Sequence, residues 1–195
     1  MMSDIHPENS MDSVDSLLKY TKRKGIDELI EWLHTTDFYT APASTKYHGS
    51  CERGLIMHSL SVYDCAIMLN KNLELGLSYD SIRICALLHD ICKINCYKKD
   101  KRNVKNVDHE TGSYEWSQVD YYRFEEDFSF GGHGSKSVYY IQKFIPLTDD
   151  EAAAINCHMG AWDKPNYNIG AVYETNKLAW LIHVADEMST FIYGI

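Results

Sequence analysis

The 195-residue sequence has no long apolar run, no paired-cysteine motif and no excess of positive charge. No uninterrupted apolar stretch is longer than residues 84–88. A membrane-crossing helix needs about 18 such residues, so no segment reads as a bilayer span. Residues 1–11 are polar and acidic and lack the basic and apolar blocks of a secretion signal. None of the six cysteines (51, 65, 85, 92, 96 and 157) belongs to a Cys-x-x-Cys pair. Cys65 and Cys85 fall inside apolar helical patterns and read as buried free thiols. The missing signal and the missing disulfide framework predict a cytoplasmic protein. Nineteen Lys and Arg stand against twenty-eight Asp and Glu, a net charge of −9. That balance disfavours stable binding to duplex DNA, which depends on neutralising phosphates. A phosphate ester stays eligible as a substrate, because a metal supplies positive charge locally.

What is present is a globular composition, 45% apolar and 24% charged. The length is that of one domain, expected over 12–195 behind a disordered tail at 1–11. Apolar residues recur at helical spacing over 12–22, 26–36, 54–75, 79–90, 133–144 and 174–193. A further helix is expected near 148–159, opened by Thr148 as N-cap. On the last helix Leu178, Leu181, Ile182, Ala185 and Met188 form the expected buried stripe. Residues 94–130 are polar and rich in tyrosine, and predict an irregular, hairpin-containing insertion with strand at 114–123. The fold class is all-α, a helical bundle carrying that insertion.

Histidines and acids interrupt the apolar faces. His58 shares a face with Val62, Cys65 and Leu69. His89 and Asp90 directly follow the apolar run at 84–88. His133 stands at a helix start, His158 near a helix end, and Asp186 beside the stripe of the last helix. Burying such groups without partners is costly, and a shared cation satisfies several at once. Imidazole nitrogen and carboxylate oxygen suit Zn, Fe, Mn or Ni. His6, His34 and His109 lie in polar or loop settings and are set aside. His183, one turn before Asp186, fits either packing or support of a ligand.

The order His58, His89-Asp90 and Asp186 resembles the HD-domain superfamily of metal-dependent phosphohydrolases. The resemblance rests on Gly54-Leu55-Ile56-Met57-His58-Ser59-Leu60, then Leu87-Leu88-His89-Asp90-Ile91-Cys92-Lys93. It continues through Gly132-His133-Gly134-Ser135-Lys136-Ser137, Ile155-Asn156-Cys157-His158 and Ala185-Asp186, and spans about 37–190. It implies an all-α fold of the HD-domain type with ligands on facing helices. It implies one or two divalent metals (Fe, Mn, Mg, Ni or Zn), with His133 and His158 serving a second metal and Asp90 bridging. The implied reaction is hydrolysis of a phosphomonoester or phosphodiester by a metal-activated hydroxide, on a nucleotide or a short oligonucleotide end. His158-Met159 stands where the two-metal cyclic-dinucleotide branch has paired histidines, and the Gly-Tyr-Pro signature of that branch is missing. Arg53 stands where relatives often have glycine, and is a candidate substrate contact. Tyr47-His48-Gly49-Ser50 is more similar to HD proteins grouped with nucleic-acid exonucleases.

Asp90 and Lys93 are the expected catalytic pair. Two divalent cations against Asp90 and Asp186 leave a site of net positive charge that attracts phosphate. Lys93, three residues after Asp90, projects from the same face if the helical turn continues, and would stabilise the leaving oxygen. Residues 97–105 carry Lys98, Lys99, Lys101, Arg102 and Lys105 against Asp100 alone, a net +4. They read either as a solvated loop or as an electrostatic lip for a phosphorylated substrate. Tyr114, Trp116, Tyr121, Tyr122 and Phe124 follow, able to stack a base or to pack the hairpin. Two other readings stand beside the hydrolase: a degenerate module that binds nucleotide or a partner without turnover, and a di-iron oxygenase. Self-association is left open.

Overall fold

The computed structural model describes residues 10–46, 49–126, 128–163 and 168–195. The expected tail lies outside the described residues, apart from Ser10 and Met11, which open the first helix. So do Tyr47 and His48 of the exonuclease-like approach and His6.

Eight α-helices are described: α1 (Ser10–Tyr20), α2 (Ile26–His34), α3 (Gly54–Asn72), α4 (Tyr79–Leu88), α5 (His133–Ile141), α6 (Asp149–Cys157), α7 (Ile169–Thr175) and α8 (Lys177–Met188). A 3-10 turn covers Ile91–Lys93, and a π-helical turn covers Ser189–Tyr193 after α8. No described helix is long and apolar enough to cross a membrane. Helix α3 is the axis of the bundle and packs against α1, α4 and α8. It is apolar on more than one side, so Leu55, Ile56, Val62, Cys65 and Ala66 are all buried. Each fully buried Leu or Ile contributes about 2 kcal/mol of hydrophobic stabilisation. Cys65 and Cys85 are buried free thiols.

Local chemistry sets the ends of the elements. Ser78 accepts the Ser81 N–H and starts α4. Thr148 and Glu151 form a reciprocal capping box that starts α6. Asn176 separates α7 from α8: its side chain accepts the Leu178 and Ala179 N–H groups and donates to Asp150 O. The helix expected over 174–193 is therefore two helices and a π turn. Helix α7 has no buried residue, hence no apolar period to read. Gly134 fixes the crossing of α5 and α6, since a Cβ there would stand 2.3 Å from Asn156 O.

The insertion is more regular than expected. Strands β1 (Tyr97–Val107) and β2 (Tyr114–Phe124) form one antiparallel hairpin in continuous register, from Tyr97 opposite Phe124 to Val107 opposite Tyr114. Both faces are largely exposed, so β1 shows no alternation of apolar and polar residues from which to read a strand. Cross-strand pairs hold it instead, including Lys101 with Asp120 and Asn106 with Ser117.

Glu151 is fully buried and receives both terminal nitrogens of Arg23 as well as the Thr148 N–H. Burial pushes its carboxyl up, but these partners outweigh that and hold it below its usual range. Arg23→Ala strands a buried carboxylate and should cost about 3–5 kcal/mol in urea unfolding at neutral pH. A depressed folded-state pKa contributes stability above the unfolded value and loses it as pH falls through the folded one. The stability gap between the wild type and Glu151→Gln should therefore close on acidification below the ordinary carboxylate range. Parallel curves across that window would remove Glu151 as the cause. Gly134→Ala should lower stability by about 1–3 kcal/mol through overpacking, read as a reduced thermal midpoint.

Candidate metal centre

The centre forms where α3, α4, α6 and α8 meet. His58 lies in the second turn of α3, fully buried. His89 and His158 are the residues that end α4 and α6, and both are fully buried. Each folds its ring back onto its own helix: Nδ1 of His89 lies 2.9 Å from Ala86 O, and Nδ1 of His158 lies 2.7 Å from Ile155 O. Nδ1 of His58 lies 2.9 Å from the main-chain oxygen of Ile195 and 3.2 Å from Ser189 Oγ.

A carbonyl oxygen only accepts, so in all three rings Nδ1 carries the proton. The neutral rings then present a bare lone pair at Nε2. These lone pairs converge. Nε2 of His58 lies 3.3 Å from Nε2 of His89. Nε2 of His158 lies 3.4 Å from Asp90 Oδ1, and neither of those atoms has a hydrogen-bond partner. Asp186 Oδ1 is 3.1 Å from His58 Nε2, and Asp90 Oδ2 is 3.5 Å from His89 Nε2. Acceptors facing acceptors in a buried site repel unless a positive charge lies among them. The centre accordingly fits a cation. The His58-His89-Asp90 and His89-His158-Asp186 groups each bring their ligand atoms within 4.8 Å of one another. A donor set rich in imidazole suits Zn, Fe, Mn or Ni better than Mg, which takes oxygen ligands. The C-terminal ends of α4 and α6 add negative helix-dipole charge at the same place.

Lys93 sits in the 3-10 turn after Asp90, where residues three apart eclipse. Its Nζ lies 2.6 Å from Asp90 Oδ2. Burial favours the neutral form of Lys93, but Asp90 outweighs it and raises the ammonium above its usual range. Burial likewise pushes Asp90 up, but Lys93 outweighs it and holds the carboxyl well below the carboxylate range.

At the first position of α5 the Nδ1 of His133 lies 3.5 Å from Cys92 Sγ, and Asp90, Cys92 and His133 form a second group of potential ligands that shares Asp90 with the first. His158 adjoins the same carboxylate, with Nε2 3.4 Å from Asp90 Oδ1. The residue that sequence reasoning did not single out for this group is Cys92. Its signal was position, two residues after Asp90. Burial, with the charge of Asp90, pushes the Cys92 thiol up to about 12. His183 supports the centre, with Nδ1 2.7 Å from His158 O. His34 pairs with Asp15, and His109 lies in the hairpin turn.

The expected substrate contacts are distributed differently. Arg53 adopts a left-handed conformation (φ 66°) at the start of α3, a backbone state that favours glycine. Lys98 pairs with Glu125, Lys99 with Glu52 and Lys101 with Asp120, while the Arg102 guanidinium lies over the Tyr121 ring. Residues 97–105 are thus a strand and not a loop, and their local charge excess is largely matched by acids distant in sequence.

A comparison with curated proteins gives no match, and neither does one with solved structures. The family model of the HD domain matches residues 55–190. That span begins in α3 before His58 and ends in the π turn after Asp186, so it takes in every residue of the converging set, and the chain belongs to the HD domain family.

Proposed function

We propose that the protein is a metal-dependent phosphohydrolase acting on a nucleotide or a short oligonucleotide end. The observation that carries this reading is the convergence of the Nε2 atoms of His58, His89 and His158 on Asp90 and Asp186, with His158 Nε2 and Asp90 Oδ1 buried and without a hydrogen-bond partner. His58, His89, His158, Asp90 and Asp186 would hold the cation, and the group near Asp90, Cys92 and His133 offers a place for a second. A divalent metal bound there would supply Lewis acidity and lower the pKa of a water towards about 7.

The chain's own groups do the rest. The main-chain oxygens of Ala86, Ile155 and Ile195 hold the rings in one orientation, so little reorganisation is needed on binding. Asp90 Oδ1 is positioned to accept a proton from a nucleophilic water. Lys93 neutralises Asp90 through Oδ2 and keeps an ammonium beside the reacting phosphate, where it stabilises charge on the leaving oxygen. Its partly open position, with the side chain 11% exposed, leaves it reachable by substrate. Catalysis of this kind separates the hydrolase from a module that only binds nucleotide. Iron content without turnover of any phosphate ester would favour the oxygenase reading.

His89→Ala or Asp90→Ala should abolish metal binding at the central cluster, read by elemental analysis, and with it turnover of bis-para-nitrophenyl phosphate. Retention of the full metal content by either variant would overturn the ligand assignment. Lys93→Ala should lower kcat on a natural phosphate ester by roughly 10²-fold and much less on a para-nitrophenyl ester, with metal content unchanged. Equal losses on both substrates would assign Lys93 to ground-state phosphate binding.

A further inference from the structure

The base of the hairpin and the loop that precedes α3 border an open cavity of about 330 Å³ whose lining includes none of the metal ligands. Tyr97, Lys99 and Tyr122 line it from the hairpin, and Asp37, Pro42 and Glu52 from the loop. The sheet register explains the first three. Tyr97 lies opposite Phe124 and Lys99 opposite Tyr122, so alternation sets Tyr97, Lys99 and Tyr122 on one face.

The walls are fixed. Tyr97 donates its hydroxyl to Ala43 O at 3.3 Å, and its ring meets Phe124 edge-on with centroids 5.6 Å apart. Asp37 Oδ1 accepts the Asn95 N–H at 2.6 Å, and Glu52 accepts from Lys99 at 3.1 Å. Tyr97 also follows the turn that carries Lys93: the N–H of its neighbour Cys96 donates to Lys93 O at 3.3 Å, so this wall of the cavity adjoins the residues after Asp90.

The geometry points to a nucleobase subsite: a base lies against the phenol rings of Tyr122 and Tyr97, with its donor edge on Asp37 and Glu52 and its phosphate on the far side of Tyr97, at the metal centre. The inference rests on the phosphohydrolase reading and names where the base of that nucleotide goes. The lining selects this chemistry. Aromatic side chains offer a flat surface for stacking, carboxylate oxygens accept more than one hydrogen bond each, and the Lys99 ammonium donates. A lipid tail or an aliphatic alcohol would make no use of such a polar rim. A guanine edge, with a ring N–H and an amino group beside a carbonyl oxygen, meets both the carboxylates and the ammonium. The volume is at the lower end for small-molecule pockets, which suits one base and not a stack of several.

The test is equilibrium binding of guanosine to the metal-loaded full chain by calorimetry, with ribose as the control lacking a base. Guanosine carries no phosphate and so survives any hydrolysis. Guanosine should bind and ribose should not. Tyr122→Ala should weaken guanosine binding roughly tenfold, Tyr122→Phe should retain it, and Glu52→Gln on the exposed rim should weaken it. Guanosine binding no tighter than ribose, or equal in the wild type and Tyr122→Ala, overturns the subsite. Turnover of bis-para-nitrophenyl phosphate by the same preparation would then leave the hydrolase reading standing. Guanosine binding without any turnover would sink that reading and keep the subsite.

Discussion

Main-chain oxygens of Ala86, Ile155 and Ile195 hold the protons of three imidazoles, and the character of the centre follows from where those protons are. Were the rings free to turn, His58 and His89 would share a hydrogen bond and Asp90 would take one from His158. Tied as they are, the rings expose only lone pairs, and the interior of a helical bundle contains a knot of negative potential. Two helix ends sharpen it, because α4 and α6 stop at the residues that donate the rings. The same helix ends explain the ring orientation, since the carbonyl three residues back is one that a terminating helix leaves without an amide partner.

Lys93 is the counterweight within the chain. Its ammonium lies against Asp90 because a 3-10 turn, and not another α turn, follows the His-Asp step. Without it, Asp90 and Asp186 would be two buried carboxylates among unprotonated rings, and one of them would take up a proton. With it, Asp90 stays ionised. The family likeness and the electrostatics thus point to the same residues for different reasons.

Much of this was legible in the sequence where burial imposes a period. His58 could be placed on the buried face of α3 because Val62 and Cys65 repeat around it, and both are buried. His89 and Asp90 were marked by the apolar run before them. Residues whose surroundings come from other elements were not legible. Cys92 meets His133 because α5 packs against the 3-10 turn that follows Asp90, a contact remote in sequence. The lysines of β1 seemed an unbalanced charge run because Glu52, Asp120 and Glu125 are remote in sequence. The first strand itself went unread because neither of its faces is buried, and a period needs a buried face.

The hairpin carries a consequence for motion. Two strands with both faces wet have little hydrophobic cohesion of their own, and such a unit is marginal in isolation. Its root is anchored, by the Glu125 N–H on Cys96 O and by Tyr97 on Ala43 O, while its far end at Val107 and Tyr114 is exposed. Opening therefore proceeds from tip to root as a sub-global event, with amide hydrogens near Val107 exchanging long before those near Tyr97. The bundle stays folded throughout, so the wall beside the metal centre is the last part of the hairpin to loosen.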